Sequence, residues 1–149
     1  MPWTPFNSFL ARPVEVFFNA ASAPAPNSFY LILTNGGTID ATTPMVSVVA
    51  LEASGNGYAR PNYDPAGGSY SNANGRYETP TVTVAYTATT GAIVFDRAVL
   101  IGGANSTPGN STGEVVCFQA QGSTTTIAAG TSYSFLISFN VGGSAANVN

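Results

Sequence analysis

The feature that most constrains this chain is a run of strict alternation near its C-terminal end. Across residues 132–141 (SYSFLISFNV), Tyr133, Phe135, Ile137, Phe139 and Val141 alternate with Ser134, Leu136, Ser138 and Asn140. Successive side chains of a β-strand point to opposite faces, so a two-residue period buries one face and wets the other, which a helix cannot do. A second run, 81–86 (TVTVAY), sets Val82, Val84 and Tyr86 on one face. Thr89, Thr90 and Gly91 then turn the chain into 92–101 (AIVFDRAVLI), which predicts two antiparallel strands. Residues 114–121 predict another strand, and 28–34 (SFYLILT), closed by Asn35, Gly36 and Gly37, predict a central one.

Helix signals are weaker. Phe6, Phe9, Leu10, Pro13, Val14, Phe17 and Phe18 recur at spacings of three and four, and Pro13 can open a helix. The reading is a short helix over 13–20, against a competing strand through Val14, Val16 and Phe18. Around 45–52 (MVSVVALE), Thr43 and Pro44 make a helix opening while the valines favour a strand, and the expectation is one or two helical turns. Residues 1–12 read as an extended arm whose Trp3 and Phe6 need a surface to dock on. With no linker and no internal repeat, 13–149 read as a single domain. The fold class expected is all-β with one or two short helices, a β-sandwich of Greek-key or jelly-roll type.

Charge narrows the function. Charged residues make up 7% of the chain, against about 25% in a typical soluble domain. Disorder is excluded, because 11% of the residues are aromatic and the net charge is only -3. A surface of Ser, Thr, Asn, Gly and apolar residues loses little desolvation energy when another protein covers it, so assembly is the natural expectation. A nucleic-acid partner is not expected, since Arg12, Arg60, Arg76 and Arg97 are scattered and Lys is absent. Nor is a membrane, since no stretch approaches the roughly 20 apolar residues of a span. Residues 1–10 lack a secretory pattern, so the protein is expected to be made in the cytoplasm and to stay soluble.

Catalytic chemistry finds little to work with. There is no His, and the one cysteine, Cys117, sits in an apolar run and reads as a small buried hydrophobe. Cys-His catalysis, a hydrolytic Ser triad and imidazole metal sites cannot be built within one such chain. Glu15, Asp40, Glu52, Asp64, Glu78, Asp96 and Glu114 are spaced too thinly to pair carboxylates on one element. No catalytic, metal or cofactor residue is therefore expected, and the chain reads as a non-enzyme. Asp96 and Arg97 interrupt a strand, so one must face the core, an edge or a partner; an edge-strand charge is favoured over a buried pair. Asn105 and Asn110 each open an Asn-Ser-Thr triplet, read as loop composition. The Tyr- and Gly-rich stretch 54–76 is either adaptable contact surface or a set of rings capping the end of the fold. The candidate contact residues are Trp3, Phe6, Phe9, Tyr58, Arg60, Tyr63, Tyr70 and Tyr77.

A family order runs through these elements. Phe29-Tyr30-Leu31-Ile32-Leu33-Thr34, then Glu52 with Gly55 to Arg60 ending in Gly57-Tyr58-Ala59-Arg60, then Val94-Phe95-Asp96-Arg97, then Ile127-Ala128-Ala129-Gly130 leading to Phe135, resembles a family of small bacteriophage virion proteins, labelled tail-fibre or decoration proteins. The resemblance spans residues 13–141, with Gly-Tyr-Ala-Arg its sharpest part; the 62–75 insertion and the aromatic arm depart from the family pattern. It implies a β-sandwich virion component without catalytic residues. The preferred role is a capsid decoration or cement protein on the virion surface, a homo-oligomer (trimer) that bridges subunits of the major capsid protein through its arm and Tyr-rich loops. The alternative is a tail or fibre adhesin that binds host glycans.

Overall fold

The computed structural model of the chain describes residues 4–5, 28–73, 76–138 and 140–142. They form β1 (Thr4–Pro5), β2 (Tyr30–Thr34), α1 (Met45–Val49), β3 (Ser69–Ser71), β4 (Arg76–Glu78), β5 (Val82–Thr87), β6 (Ile93–Gly102), β7 (Glu114–Ile127), β8 (Ser132–Ile137) and β9 (Asn140–Gly142). The strands pair antiparallel in the orders β1-β7-β6-β2, β3-β4-β9 and β5-β8. The class is all-β, as the alternation predicts. The helix expected over 13–20, the side chains of Trp3, Phe6 and Phe9, and Phe139 lie outside the described residues. Of the expected arm, Thr4 and Pro5 are described, and they pair with Phe118 and Cys117 of β7 in the same chain.

The continuous apolar run of β2 follows from burial on both sides. Leu31 and Leu33 enter one hydrophobic cluster and Ile32 the other, all at zero exposure. β2 ends the four-stranded order instead of lying centrally, but its outer edge is not left bare. Irregular segments replace the missing neighbour: the Leu31 N–H donates to the Pro61 carbonyl (3.1 Å), Tyr63 N–H to Phe29 (2.9 Å), Ala53 N–H to Leu33 (2.8 Å) and Asn35 N–H to Leu51 (3.0 Å). Buried main-chain groups must be paired, and the 51–63 segment is shaped by that need.

β6 carries two register shifts against β7, one between Phe95 and Arg97 and one between Leu100 and Ile101. At the first, Asp96 alone stands between the paired β6 residues while residues 121–124 lie between their partners Thr125 and Ala120, so the extra residues are on β7. The shift flips the phase of β6, so that Ile93 and Phe95 before it share a cluster with Ala98 and Leu100 after it. Asp96 and Arg97 therefore need not face opposite sides, as regular alternation would require. They form an ion pair (2.9 Å) that grips one turn: Asp96 Oδ2 accepts from the Gly36 N–H and Arg97 Nη1 donates to the Gly36 carbonyl, each at 3.1 Å. The edge-strand reading is corrected, since β6 lies between β7 and β2.

β5 and β6 are not a hairpin, contrary to the expectation from the 89–91 turn. β5 pairs with β8, from Val82 opposite Ile137 to Thr87 opposite Ser132, while β6 pairs with β7 and β2. The connection between them crosses from one layer to the next and is clasped by Asn56, whose carbonyl accepts from the Thr89 N–H (2.8 Å) and whose Nδ2 donates to the Ala92 carbonyl (2.7 Å). β4 pairs with β9 from Arg76 opposite Gly142 to Glu78 opposite Asn140. β5 follows β4 and β9 follows β8 within a few residues along the chain. The β4–β9 and β5–β8 pairs are thus successive stretches of one ribbon, with β3 added at one end.

Three layers result. Between the four-stranded sheet and the ribbon lie Leu31, Leu33, Val84, Tyr86, Phe95, Leu100, Cys117, Phe135 and Ile137 among others. On the opposite face of the sheet Ile32, Val99, Ile101 and Val115 pack against Ile39 and Val48, with Met45 and Leu51 at the border. α1 is the short helix expected after Thr43 and Pro44, and it buries Val48 while leaving Val46 exposed. Its approach is fixed by Asp40, whose Oδ1 accepts from the Thr42 N–H (2.8 Å) and the Thr42 hydroxyl (2.7 Å), holding that carboxyl below the usual range.

Candidate functional site

Glu52, Tyr58 and Arg60, close together in the chain, meet through their side chains on the inside of the molecule. Glu52 follows α1 and bridges Thr34 at the end of β2. The turn that follows needs left-handed backbone at Gly55 (φ 72°), Asn56 (φ 55°) and Gly57 (φ 84°). Gly57 has a second reason: a Cβ there would run into the Thr89 side chain. The chain then extends, with Tyr58 and Arg60 turned inward and Ala59 outward.

Arg60 and Glu52 form a two-pronged ion pair, Nε to Oε1 at 2.7 Å and Nη2 to Oε2 at 2.6 Å, with side-chain exposures of 0% and 2%. Two more donors complete the carboxylate: the Tyr58 hydroxyl on Oε1 (2.9 Å) and the Gly109 N–H on Oε2 (2.8 Å). Arg60 also donates to the carbonyls of Asn105 (Nη1, 3.2 Å) and Asn110 (Nη2, 3.0 Å). The Tyr58 oxygen in turn accepts from the Leu33 N–H at 3.2 Å, serving a strand donor that no neighbouring strand reaches. Asn105 and Asn110 are the openings of the two Asn-Ser-Thr triplets. Their side chains make tight turns, accepting from the N–H of Thr107 (3.0 Å) and Thr112 (2.8 Å), and so present their carbonyls to Arg60.

This cluster fastens the polar loop 103–113 to the sheet. A carboxylate has about four lone-pair sites, and here each oxygen already takes two donors. It has no vacant position from which to accept a substrate proton, and four hydrogen bonds also occupy the guanidinium. Burial of an ion pair is tolerable because every arm is satisfied.

Tyr58, Arg60 and Tyr63 are 9%, 3% and 1% exposed, so their assignment as contact residues for a partner is corrected: they belong to the interior of their own chain. Charge and ring polarity suggested surface, but burial with full pairing removes the penalty that keeps such groups outside. Tyr63 hydrogen-bonds Thr79 through its hydroxyl (3.1 Å). Tyr70, on β3, is 61% exposed and remains available. Tyr77 is described as backbone of β4 only. What sequence reasoning missed was the pairing of Glu52 with Arg60 and the role of the loop carbonyls; the acid eight residues before the arginine was the available signal.

Clefts open on the surface of the described residues, two of them beside this cluster. One of ≈390 Å³ is lined by residues 50–54, 92–94 and Asn35, the other of ≈210 Å³ by Gly57, Ala59, Pro61, residues 85–87 and Thr89. The ionisable side chains at their walls, Glu52 and Tyr86, are buried. Among the described residues no three His, Cys, Asp or Glu side chains come together as a metal site. Comparison with family models, with curated proteins and with solved structures finds no match to this chain.

Behind the clamp the rings of Tyr58 and Tyr86 stack at 5.8 Å, and the Tyr86 hydroxyl is buried with no partner among the described residues. Tyr86→Phe should therefore leave stability unchanged or raise it by about 1 kcal/mol in urea denaturation, because it removes an unpaired polar atom without opening a cavity. A loss of that size would mean the hydroxyl has a partner. Burial, helped by the Glu52 charge, pushes both phenols far above 10.0, and burial pushes the Cys117 thiol up from 9.0. The folded chain thus keeps protons that the unfolded chain releases. Stability should be complete below about pH 9 and fall as pH rises through 10 and beyond, by up to about 1.4 kcal/mol per unit for each group. Urea midpoints between pH 7 and 11 would show it, and a midpoint that stays flat to pH 11 would contradict it.

Proposed function

We propose that this chain is a non-enzymatic structural protein of a bacteriophage virion. In this reading it is a decoration or cement protein on the capsid surface that associates with copies of itself and bridges neighbouring subunits of the major capsid protein. The observation that carries the reading is where the few charges go: the Glu52–Arg60 pair lies inside and the Asp96–Arg97 pair grips a turn. The outer faces of β5 and β8 present Thr, Ala, Ser and Leu. Such a surface loses little on being covered. The resemblance of the Gly-Tyr-Ala-Arg segment to small virion proteins adds the setting, and the internal clamp gives that motif a structural reason to accompany an acid. No nucleic acid and no membrane enter the proposal; among the described residues no helix is long and apolar enough to cross a bilayer.

A second reading, a tail or fibre adhesin, is favoured by one observation: the ring of Tyr70 stands 61% exposed on a three-residue strand, the presentation that stacks on a sugar face. Antibody labelling of intact virions under the electron microscope separates the two. Label spread over the shell is the expected result. Label confined to the tail would replace the cement role by the adhesin role, and no label on particles would remove both.

A further inference from the structure

Among the described residues nothing pairs along the β8–β9 side of the ribbon, whereas β3 adds to the other side at β4. In the β5–β8 ladder the Ala88 N–H donates to the Thr131 carbonyl at 3.1 Å, which makes residues 88 and 131 a hydrogen-bonded pair. Pairs alternate along an antiparallel ladder, so the next one, Thr87 with Ser132, is non-hydrogen-bonded, and their hydroxyls meet at 2.7 Å as the closer spacing there allows. By the same alternation Ser132, Ser134 and Leu136 direct their N–H and C=O groups away from β5. No partner for these groups occurs among the described residues.

Natural sheet edges are guarded by charge, proline, bulges or a covering loop. β8 reads Ser-Tyr-Ser-Phe-Leu-Ile, with no charged residue and no proline, and its six residues pair with β5 without a register shift. Its outward side chains are Ser132, Ser134 and Leu136, and Leu136 is 72% exposed, the most of any large apolar side chain among the described residues. An unguarded row of alternating donors and acceptors fits one kind of ligand, another extended backbone.

We infer that β8 pairs antiparallel with β8 of a second copy of this chain, forming a continuous β5-β8-β8-β5 sheet across a two-fold axis. A second copy is the occupant the edge itself specifies. Antiparallel pairing of identical strands is self-complementary, the neutral sequence meets no like charge, and the outward Leu136 of each strand comes to lie over its partner's neighbouring strand. The inference deepens the self-association in the proposed function, holds without its virion setting, and gives a dimeric unit where the preferred cement role expects a trimer.

Native mass and light scattering across a dilution series of the full chain test it, using wild type, Leu136→Lys, Ser134→Pro and, as a control, Val46→Lys. Val46 is 64% exposed on α1, at the face of the sheet opposite the ribbon. The expected result is a wild-type dimer whose dissociation constant rises at least about tenfold on Leu136→Lys, with circular dichroism unchanged and Val46→Lys without effect. Ser134→Pro removes an outward N–H and should act in the same direction; Leu136→Lys decides the matter where the proline disturbs folding. A dimer or trimer that ignores Leu136→Lys would overturn the β8 edge and leave self-association standing. A wild-type monomer throughout would overturn both.

Discussion

Replacing Arg60 with methionine should destabilise the fold by about 3–5 kcal/mol, the cost of leaving one charge of a buried pair without its partner. Glu52 would keep only the Tyr58 hydroxyl and the Gly109 N–H, at 2.9 and 2.8 Å, against a full negative charge at 2% exposure. The same change removes the donors on the Asn105 and Asn110 carbonyls, so the damage extends to the 103–113 loop. Hydrogen exchange should therefore quicken across 105–112 more than in β6 or β7. The double variant Glu52→Leu, Arg60→Met removes both charges and should recover part of the loss, but not the loop carbonyls, which stay without donors. A single-variant loss below about 1 kcal/mol would mean that the pair is solvated in solution and that the loop is held by something else.

Much of this architecture is legible in the sequence because burial on one face writes a period into it. The 81–86 and 132–137 runs are strands, and the both-faces burial of β2 is visible as an unbroken apolar run. What stayed hidden is long-range. The turn at 89–91 looks like a hairpin, and nothing local says that Asn56, more than thirty residues earlier, holds it as a crossing between layers. The irregularity at Asp96 is hidden for the same reason: a change of phase along β6 reads as a broken period until the partner strand, with residues 121–124 opposite Asp96, is known. The clamp was half visible. Its residues stand out in the sequence as a motif, but isolated charged and phenolic groups carry no mark of inward or outward direction, and their partners include main-chain carbonyls, which leave no trace in sequence. Tyr58 and Arg60 accordingly read as surface in the sequence and lie inside in the fold.

Phe135 is where the alternation of β8 meets the core, and Phe135→Ala should cost about 3–5 kcal/mol. Its ring lies 5.1 Å from Tyr133, 6.0 Å from Phe95 and 6.1 Å edge-on from Tyr86, so it joins aromatic side chains from β5, β6 and β8. Truncation there opens a cavity at the centre of the layer between sheet and ribbon, and the surrounding rings sit on separate strands that cannot close over it together. Leu136, the next residue, faces outward at 72% exposure, and Leu136→Ala should change the stability of the isolated chain by no more than about 0.5 kcal/mol. The contrast between neighbours is the informative part. A ribbon shifted by one residue would exchange the two effects, because one step in register moves every β8 side chain to the opposite face. Urea denaturation of both variants at a concentration where wild type is monomeric reads the register directly. Similar losses at the two positions would show that the outer face of β8, like its inner one, is covered within the chain.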